Sequence, residues 1–223
     1  MITVHHLNNS RSQRVLWLLE ELELDYEGVR YERNPVTMRA PEALLRVHPL
    51  GKSPVLTHDG KTLAETGAII EYVIEQFAHG KLVPAAGTDE HLRYRYWLHY
   101  AEGSAMPPLL LKLVFDRMAS GRAAPILLRP LLRMIATRAL TTQINPQLAL
   151  HVNYWEAELA ATGWFAGPEF SAADIQMSFP TEAAAARVGL DGRPRLREFL
   201  NRIHARPAYH RAIERGGPYE LLS

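Results

Sequence analysis

Apolar residues recur along this chain with two periods, and the change from one to the other divides it. Ile2 and Val4 alternate with polar neighbours, with Leu7 a further apolar position, and predict a first strand. Asn8-Asn9-Ser10 follows as a polar turn or cap. From Arg11 the spacing turns helical, with Val15, Leu16, Leu18, Leu19 and Leu22 on one face. Residues 26–31 read as a second strand, and residues 41–47 as a weak helical stretch in a loop. Ser53-Pro54-Val55-Leu56-Thr57-His58 and Lys61-Thr62-Leu63-Ala64 flank Asp59-Gly60, a strong hairpin signal because a type I′ turn needs positive φ at both central residues. A helix over 65–77 then places Ile69, Ile70, Val73, Ile74 and Phe77 on one face. The first three elements can form a right-handed βαβ unit, and the hairpin adds antiparallel strands, so a mixed sheet is expected.

Beyond residue 77 no further strand pattern occurs. Residues 78–88 hold two Gly and one Pro without periodicity and read as a linker. A long helix is expected over 89–114, kinked or broken at Pro107-Pro108. Two more are expected over 124–140 and 146–161. Ser171-Ala172-Ala173-Asp174 fits a capping box ahead of an apolar run, and helices starting at Pro194 and Pro207 have proline at a favourable first position. Charge divides at the same place. Residues 1–80 carry 8 Lys+Arg against 11 Asp+Glu, and residues 81–223 carry 17 against 13. The expected organisation is an α/β domain over 1–80, a linker over about 81–88 and an all-helical domain over 89–223.

Composition narrows the chemistry. With 47% hydrophobic and 22% charged residues the chain has enough apolar mass for a real core. A net charge of +1 argues against general nucleic-acid binding. No apolar run is long enough for a membrane span, and the opening residues lack signal-peptide character, so a cytoplasmic location is expected. There is no cysteine, which excludes disulfides, thiolate metal sites and a protein thiol nucleophile. His5 and His6 are adjacent in a strand and point to opposite faces, so no shared metal is expected. At the hairpin, a proline at the strand entry implies an edge, a bulge or a cis bond. The exit puts the Glu65 carboxylate and the Thr66 hydroxyl beside the unpaired N–H groups of a helix start, a good place to hold a small polar ligand.

The order of these elements, together with His48-Pro49-Leu50-Gly51-Lys52-Ser53-Pro54-Val55-Leu56, Ala64-Glu65-Thr66-Gly67-Ala68-Ile69-Ile70-Glu71-Tyr72 and Phe170-Ser171-Ala172-Ala173-Asp174-Ile175, resembles the cytosolic glutathione transferases over the whole chain. The opening residues 5–12 and Val15-Leu16-Trp17 look like the bacterial and fungal branch with serine-type sites. The resemblance implies a thioredoxin-like N-terminal domain and an all-α C-terminal domain. It implies glutathione as cosubstrate, a hydrophobic electrophile as second substrate and a homodimer.

The resemblance also assigns expected roles. The backbone of Ser53, before Pro54, would pair with the cysteinyl part of glutathione. Glu65 and Thr66 match the acid–hydroxyl pair that holds its γ-glutamyl group, with threonine where serine is usual. Lys52 and Arg39 are candidates for its glycine carboxylate. A hydroxyl or amide near a helix N-terminus would stabilise the thiolate, and Ser10 is the first choice, with Asn9 and Ser12 as competitors. Tyr100, Ser104 and Met106 are expected to line the electrophile pocket. The lack of cysteine disfavours deglutathionylation through a mixed disulfide with the protein and permits conjugation, dehalogenation, peroxide reduction or disulfide reduction with two glutathione molecules; the resemblance makes conjugation the leading activity. A glutathione-dependent peroxidase or disulfide reductase, or a non-catalytic binding protein of the same fold, are the alternatives. Arg117, Arg122, Arg129, Arg133 and Arg138 stand in a stretch, 117–155, without Asp or Glu. That pattern reads as helix with outward arginines, and its charge would attract glutathione or acidic substrates.

Overall fold

The computed structural model describes residues 1–121 and 125–221. Arg122 and the start of the helix expected at residue 124 lie outside them. Strands β1 (Ile2–Leu7), β2 (Tyr26–Tyr31), β3 (Val55–His58) and β4 (Lys61–Ala64) form one sheet in the order β2-β1-β3-β4. β1 runs parallel to β2, with Ile2 opposite Tyr26 and Leu7 opposite Tyr31. It runs antiparallel to β3, with Ile2 opposite His58 and His5 opposite Val55. The mixed sheet expected from the sequence is therefore present. At the hairpin tip Asp59 has φ 48° and Gly60 has φ 75°, both positive as the type I′ turn requires. Of the three options for Pro54, the cis bond is the one realised, since β3 lies between β1 and β4 rather than at an edge.

Three helices belong to this half: α1 (Ser12–Glu21), α2 (Glu42–Val47) and α3 (Thr66–Phe77). The rest of the described chain is helical: α4 (Asp89–Tyr100), α5 (Met106–Ser120), α6 (Arg129–Ala139), α7 (Asn145–Thr162), α8 (Ala172–Arg187), α9 (Pro194–His204) and α10 (Pro207–Gly216). α1 is enclosed on nearly every side, because it touches β1, α3, α8 and α10 at once. Its apolar face meets the sheet, while the carboxylates at its C-terminal end pair with arginines on and just before α10. Glu20 accepts from Arg211 at 2.8 Å and pairs with Arg215 at 3.0 Å, and Glu21 takes Arg206 through both carboxylate oxygens.

The long helix does not break at its proline pair. A wide π-type turn over Ala101–Ala105 joins α4 to α5, placing Pro107 in the first turn of α5. A proline ring clashes with the carbonyl four residues back and offers no N–H to it, and the wide turn moves those carbonyls away. A second π-type turn, Leu140–Ile144, precedes Pro146 at the start of α7, and a short 3₁₀ turn, Ile126–Leu128, precedes Pro130 in α6. The capping box at α8 is formed: Asp174 accepts from Ser171 N at 2.9 Å while the Ser171 hydroxyl accepts from Ala173 N. Asp174 also accepts from Phe165 N at 2.8 Å, and burial pushes its carboxyl up to about 6. None of the described helices is long and apolar enough to cross a membrane.

Candidate active site

Two cavities adjoin where the loop ends of the sheet face the helical half. The first, of about 360 Å³, is lined by His48, Lys52, Ser53, Pro54, Glu65 and Thr66 from the sheet side and Glu102 from the π-type turn. The second, of about 530 Å³, is lined by Asn8, Asn9, Arg33, Met38, Met106, Arg117, Phe179 and Arg187, among others. Arg11 and Leu110 line both.

Local structure explains how the first cavity is made. Gly51 has φ 55°, and a Cβ there would fall 2.7 Å from the Leu45 side chain. The positive φ favours glycine where the chain turns back into Lys52-Ser53. The Ser53 hydroxyl donates to His5 O at 2.9 Å and accepts from Leu7 N, which ties the loop to β1. Glu65 stands at φ 70°, ψ 120°, a conformation that costs a side-chain-bearing residue free energy. That backbone turns the exposed Glu65 side chain toward the cavity mouth at the start of α3. Ile69 N donates to Glu65 O, so the N–H groups of Thr66, Gly67 and Ala68 precede the first intrahelical bond and have no helical acceptor.

Beneath this lies a buried charge cluster that sequence reasoning did not find. Arg14, 1% exposed, donates to Gln176 O at 2.7 Å, to the Thr66 hydroxyl at 3.1 Å and to Glu102. The other Glu102 oxygen lies 3.1 Å from Arg11 Nε. Burial pushes the Glu102 carboxyl up, but Arg14 and Arg11 outweigh it and hold it below its ordinary value. For Arg14, burial is the largest influence and lowers its pKa, with Glu102 opposing. The helical face of α1 carries a signal for this: Arg14 falls among the apolar residues, where a lone arginine needs a buried partner.

The three candidates for the sulfur donor are placed differently. Ser10 is buried, and its hydroxyl lies 2.7 Å from that of Ser12, which in turn lies 2.8 Å from His6 Nδ1. His6 also bonds the backbone of Gly216, so its Nδ1 is left to accept from Ser12. Ser10 also accepts from Ser12 N at 3.3 Å. The Ser10 hydroxyl also lies 3.5 Å from that of Ser53, which lines the first cavity, while neither Ser10 nor Ser12 lines a cavity itself. Burial holds His6 at about 4, neutral near neutrality as this chain requires. Asn9, at φ 48°, lines the second cavity while its Oδ1 accepts from Glu220 N at 2.8 Å.

Other expected residues divide in the same way. Lys52, Ser53, Pro54, Glu65 and Thr66 come together around the first cavity, and Met106 reaches the second. Arg39 is exposed in the loop before α2 and lines neither. Ser104 is exposed and also lines neither. Tyr100 points into the helical core, where its hydroxyl bonds His151 and accepts from Trp155 Nε1 at 3.0 Å. Tyr100 and Met106 are six residues apart along the helix, a spacing that puts them on different faces. A separate cavity of about 450 Å³ between residues 80–90 and 166–171 has no basic lining residue, so it offers nothing to a ligand's carboxylates. No group of His, Asp and Glu suited to a metal ion occurs among the described residues.

Comparison with known proteins agrees with this architecture. Residues 1–75 match the profile of the glutathione S-transferase N-terminal domain. The chain is 36% identical over 217 residues to glutathione S-transferase 3 of Schizosaccharomyces pombe, covering 96% of this chain and 88% of that one. It is 33% identical over 225 residues to glutathione S-transferase 1 of Saccharomyces cerevisiae, covering 96% and 95%. Among solved structures, a glutathione S-transferase from Actinobacillus pleuropneumoniae superposes with a TM-score of 0.77 at 32% identity, covering 97% of this chain and 93% of that one. The chain belongs to the glutathione S-transferase family.

Proposed function

We propose that this protein is a glutathione transferase that binds glutathione in the first cavity, ionises its thiol and presents the thiolate to an electrophile in the second. The observation that carries this is the meeting of Lys52, the Ser53-Pro54 backbone, Glu65 and the α3 N-terminus around one cavity that opens onto another. The Glu65 carboxylate takes the γ-glutamyl ammonium. The N–H groups at the start of α3 and the Thr66 hydroxyl, oriented by Arg14, take the α-carboxylate. Lys52 takes the glycine carboxylate. The cysteinyl unit pairs with the Ser53 backbone, which leaves its sulfur toward the junction of the cavities.

Arg11 is the charge at that junction. Its guanidinium lies over the Phe179 ring, 5.4 Å from the centroid, and is anchored by Glu102. A fixed positive charge beside the sulfur favours thiolate over thiol. Ser10, buried and outside both cavities, serves this site by shaping the turn that carries Arg11. Catalysis then rests on a lowered thiol pKa and on proximity, with no covalent bond to the protein.

The reading extends to assembly and setting. Leu92, Tyr96, Leu150 and Tyr154 are exposed on the adjoining faces of α4 and α7, and they are the surface by which two copies would form a homodimer. Residues 1–80 would act as the glutathione-binding domain and 89–223 as the helical domain, with the connecting segment fixed by Ala172 N donating to Leu82 O at 2.8 Å. The cytosol, which supplies reduced glutathione, is the fitting location, and detoxification of electrophiles the fitting role. A thermal-shift titration tests the binding step. Glutathione at saturating concentration raises the melting temperature, because a ligand of the native state stabilises by mass action. No shift, in a folded sample, would end this reading.

A further inference from the structure

Helix α6 packs against α5 and is covered along one narrow side. Ala136 is buried, and with the half-buried Leu132 and Ala139 it forms the inward face, at the i, i+4, i+7 spacing of one side of a helix. Leu131, Met134, Ile135 and Arg138 follow the i, i+3, i+4, i+7 spacing of another side, and all four are exposed. Ile126, Leu127 and Leu128 in the preceding 3₁₀ turn are exposed as well, Leu127 to 92%. The arginines of this segment point outward, as the sequence pattern suggests, but the apolar residues between them do so too. Scattered leucines on a surface need no explanation, whereas apolar side chains this dense on one short element mark a contact surface.

The charge around this face is of one sign. No Asp or Glu occurs from residue 117 to residue 155. Asp116, the carboxylate of α5, is paired with Lys112 at 3.1 Å. Arg138 sits within the exposed face, and it borders a shallow groove that Arg133, Met134, Thr137 and Thr141 also line. Arg133 Nε donates to Ala119 O at 3.4 Å, a bond that leaves its charge uncancelled. Among the described residues no carboxylate is within ion-pair distance of Arg133 or Arg138.

We propose that this face docks on a bilayer surface containing anionic lipid. Its leucine, isoleucine and methionine side chains enter the boundary between headgroups and acyl chains. The arginines stay at headgroup level, with their stems along the apolar surface. Charge selects this occupant. A second copy meeting the same face about a two-fold axis would set arginine against arginine with no carboxylate to answer, which costs free energy. The homodimer surface proposed above lies on other elements, α4 and α7. Leu110 of the adjoining α5 lines both cavities, so docking would hold them at a lipid surface, where apolar electrophiles concentrate. The docking itself needs no glutathione.

Flotation of the full chain with vesicles, in the absence of glutathione, tests this. On phosphatidylcholine vesicles containing about a third phosphatidylserine, the protein is expected to float with the lipid at low salt and to dissociate as salt is raised. On phosphatidylcholine alone, binding is expected to be weaker by about tenfold or more. Leu131→Glu with Ile135→Glu, at exposed positions outside both cavities, should weaken binding to the anionic vesicles about tenfold or more and leave the melting temperature unchanged. Arg138→Gln should weaken it several-fold and Arg138→Lys should not, because headgroup attraction needs charge rather than a fork. A folded parent that stays off the anionic vesicles would overturn the proposal, as would binding left intact by the double substitution or equal binding to both kinds of vesicle. A parent that ignores vesicles but loses a subunit contact in the double variant, seen by sedimentation, would give the face to a second copy instead.

Discussion

In the proposed site Arg11 and Glu65 answer for different parts of the chemistry, and replacing each should show it. Glu65→Ala removes the counter-charge for an ammonium, and a charged hydrogen bond is worth about 1.5–3 kcal/mol. Calorimetry should show glutathione affinity reduced about tenfold or more, and unaltered affinity would remove Glu65 from the site. Arg11→Met should leave affinity nearly intact while making the bound thiol about tenfold harder to ionise, read by ultraviolet difference spectra. Ser10→Ala should leave that ionisation in place, because Ser10 is buried and lines neither cavity. If Ser10→Ala abolished ionisation and Arg11→Met did not, the hydroxyl would be the donor after all. His6 carries a pH dependence of its own. Its pKa is about 4 folded, against 6.5 as reference, so the unfolded chain takes up a proton first as pH falls. Its stabilising contribution is present above pH 6.5 and is lost as pH falls toward about 4. Urea unfolding of His6→Gln against the parent across that window should show a shallower acid loss. At this scale the sequence displayed the residues whose position follows from place along the chain, such as Glu65-Thr66 after a hairpin. It hid Arg14 and Glu102, 88 residues apart, since their pairing exists only once α1 meets the π-type turn.

At the scale of elements, turn chemistry was the most legible feature. Asp-Gly between two short apolar runs gave the hairpin, and the positive φ at both residues shows why this pair suits the turn. Gly60 has open space where a Cβ would go, so Gly60→Ala isolates the backbone cost. It should destabilise by about 1–2 kcal/mol in urea unfolding. No loss would mean that the turn relaxes to another type. The capping box at α8 and the prolines opening α9 and α10 were likewise readable, because each acts within one turn of helix. The prolines in the long helices were not. A proline says that the regular ladder must yield, but whether by a kink or by a π-type turn upstream depends on packing around Ala101–Ala105. Met106 lines the second cavity, while Tyr100 sits in the aromatic core with Trp155.

For the whole molecule, the change from alternating to helical periodicity announced a sheet-bearing half and a helical half. Which helical residues reach the site did not follow, because Phe179, Arg187 and Arg117 come from helices whose order in space no local pattern encodes. The exposed Leu92, Tyr96, Leu150 and Tyr154 belong to the same scale. Sedimentation should find a dimer, and Leu92→Glu with Leu150→Glu should give a folded monomer. A parent chain that sediments as a monomer would contradict the assignment of that face. The account as a whole rests on a borrowed sulfur held as an anion between two cavities. Its most direct test is the ultraviolet titration of glutathione bound to the unaltered protein. Thiolate absorbance should appear at least one pH unit below that of free glutathione, whose thiol lies near the usual value of about 8.5. Saturable binding with the thiol ionising no earlier than in free solution would contradict the account.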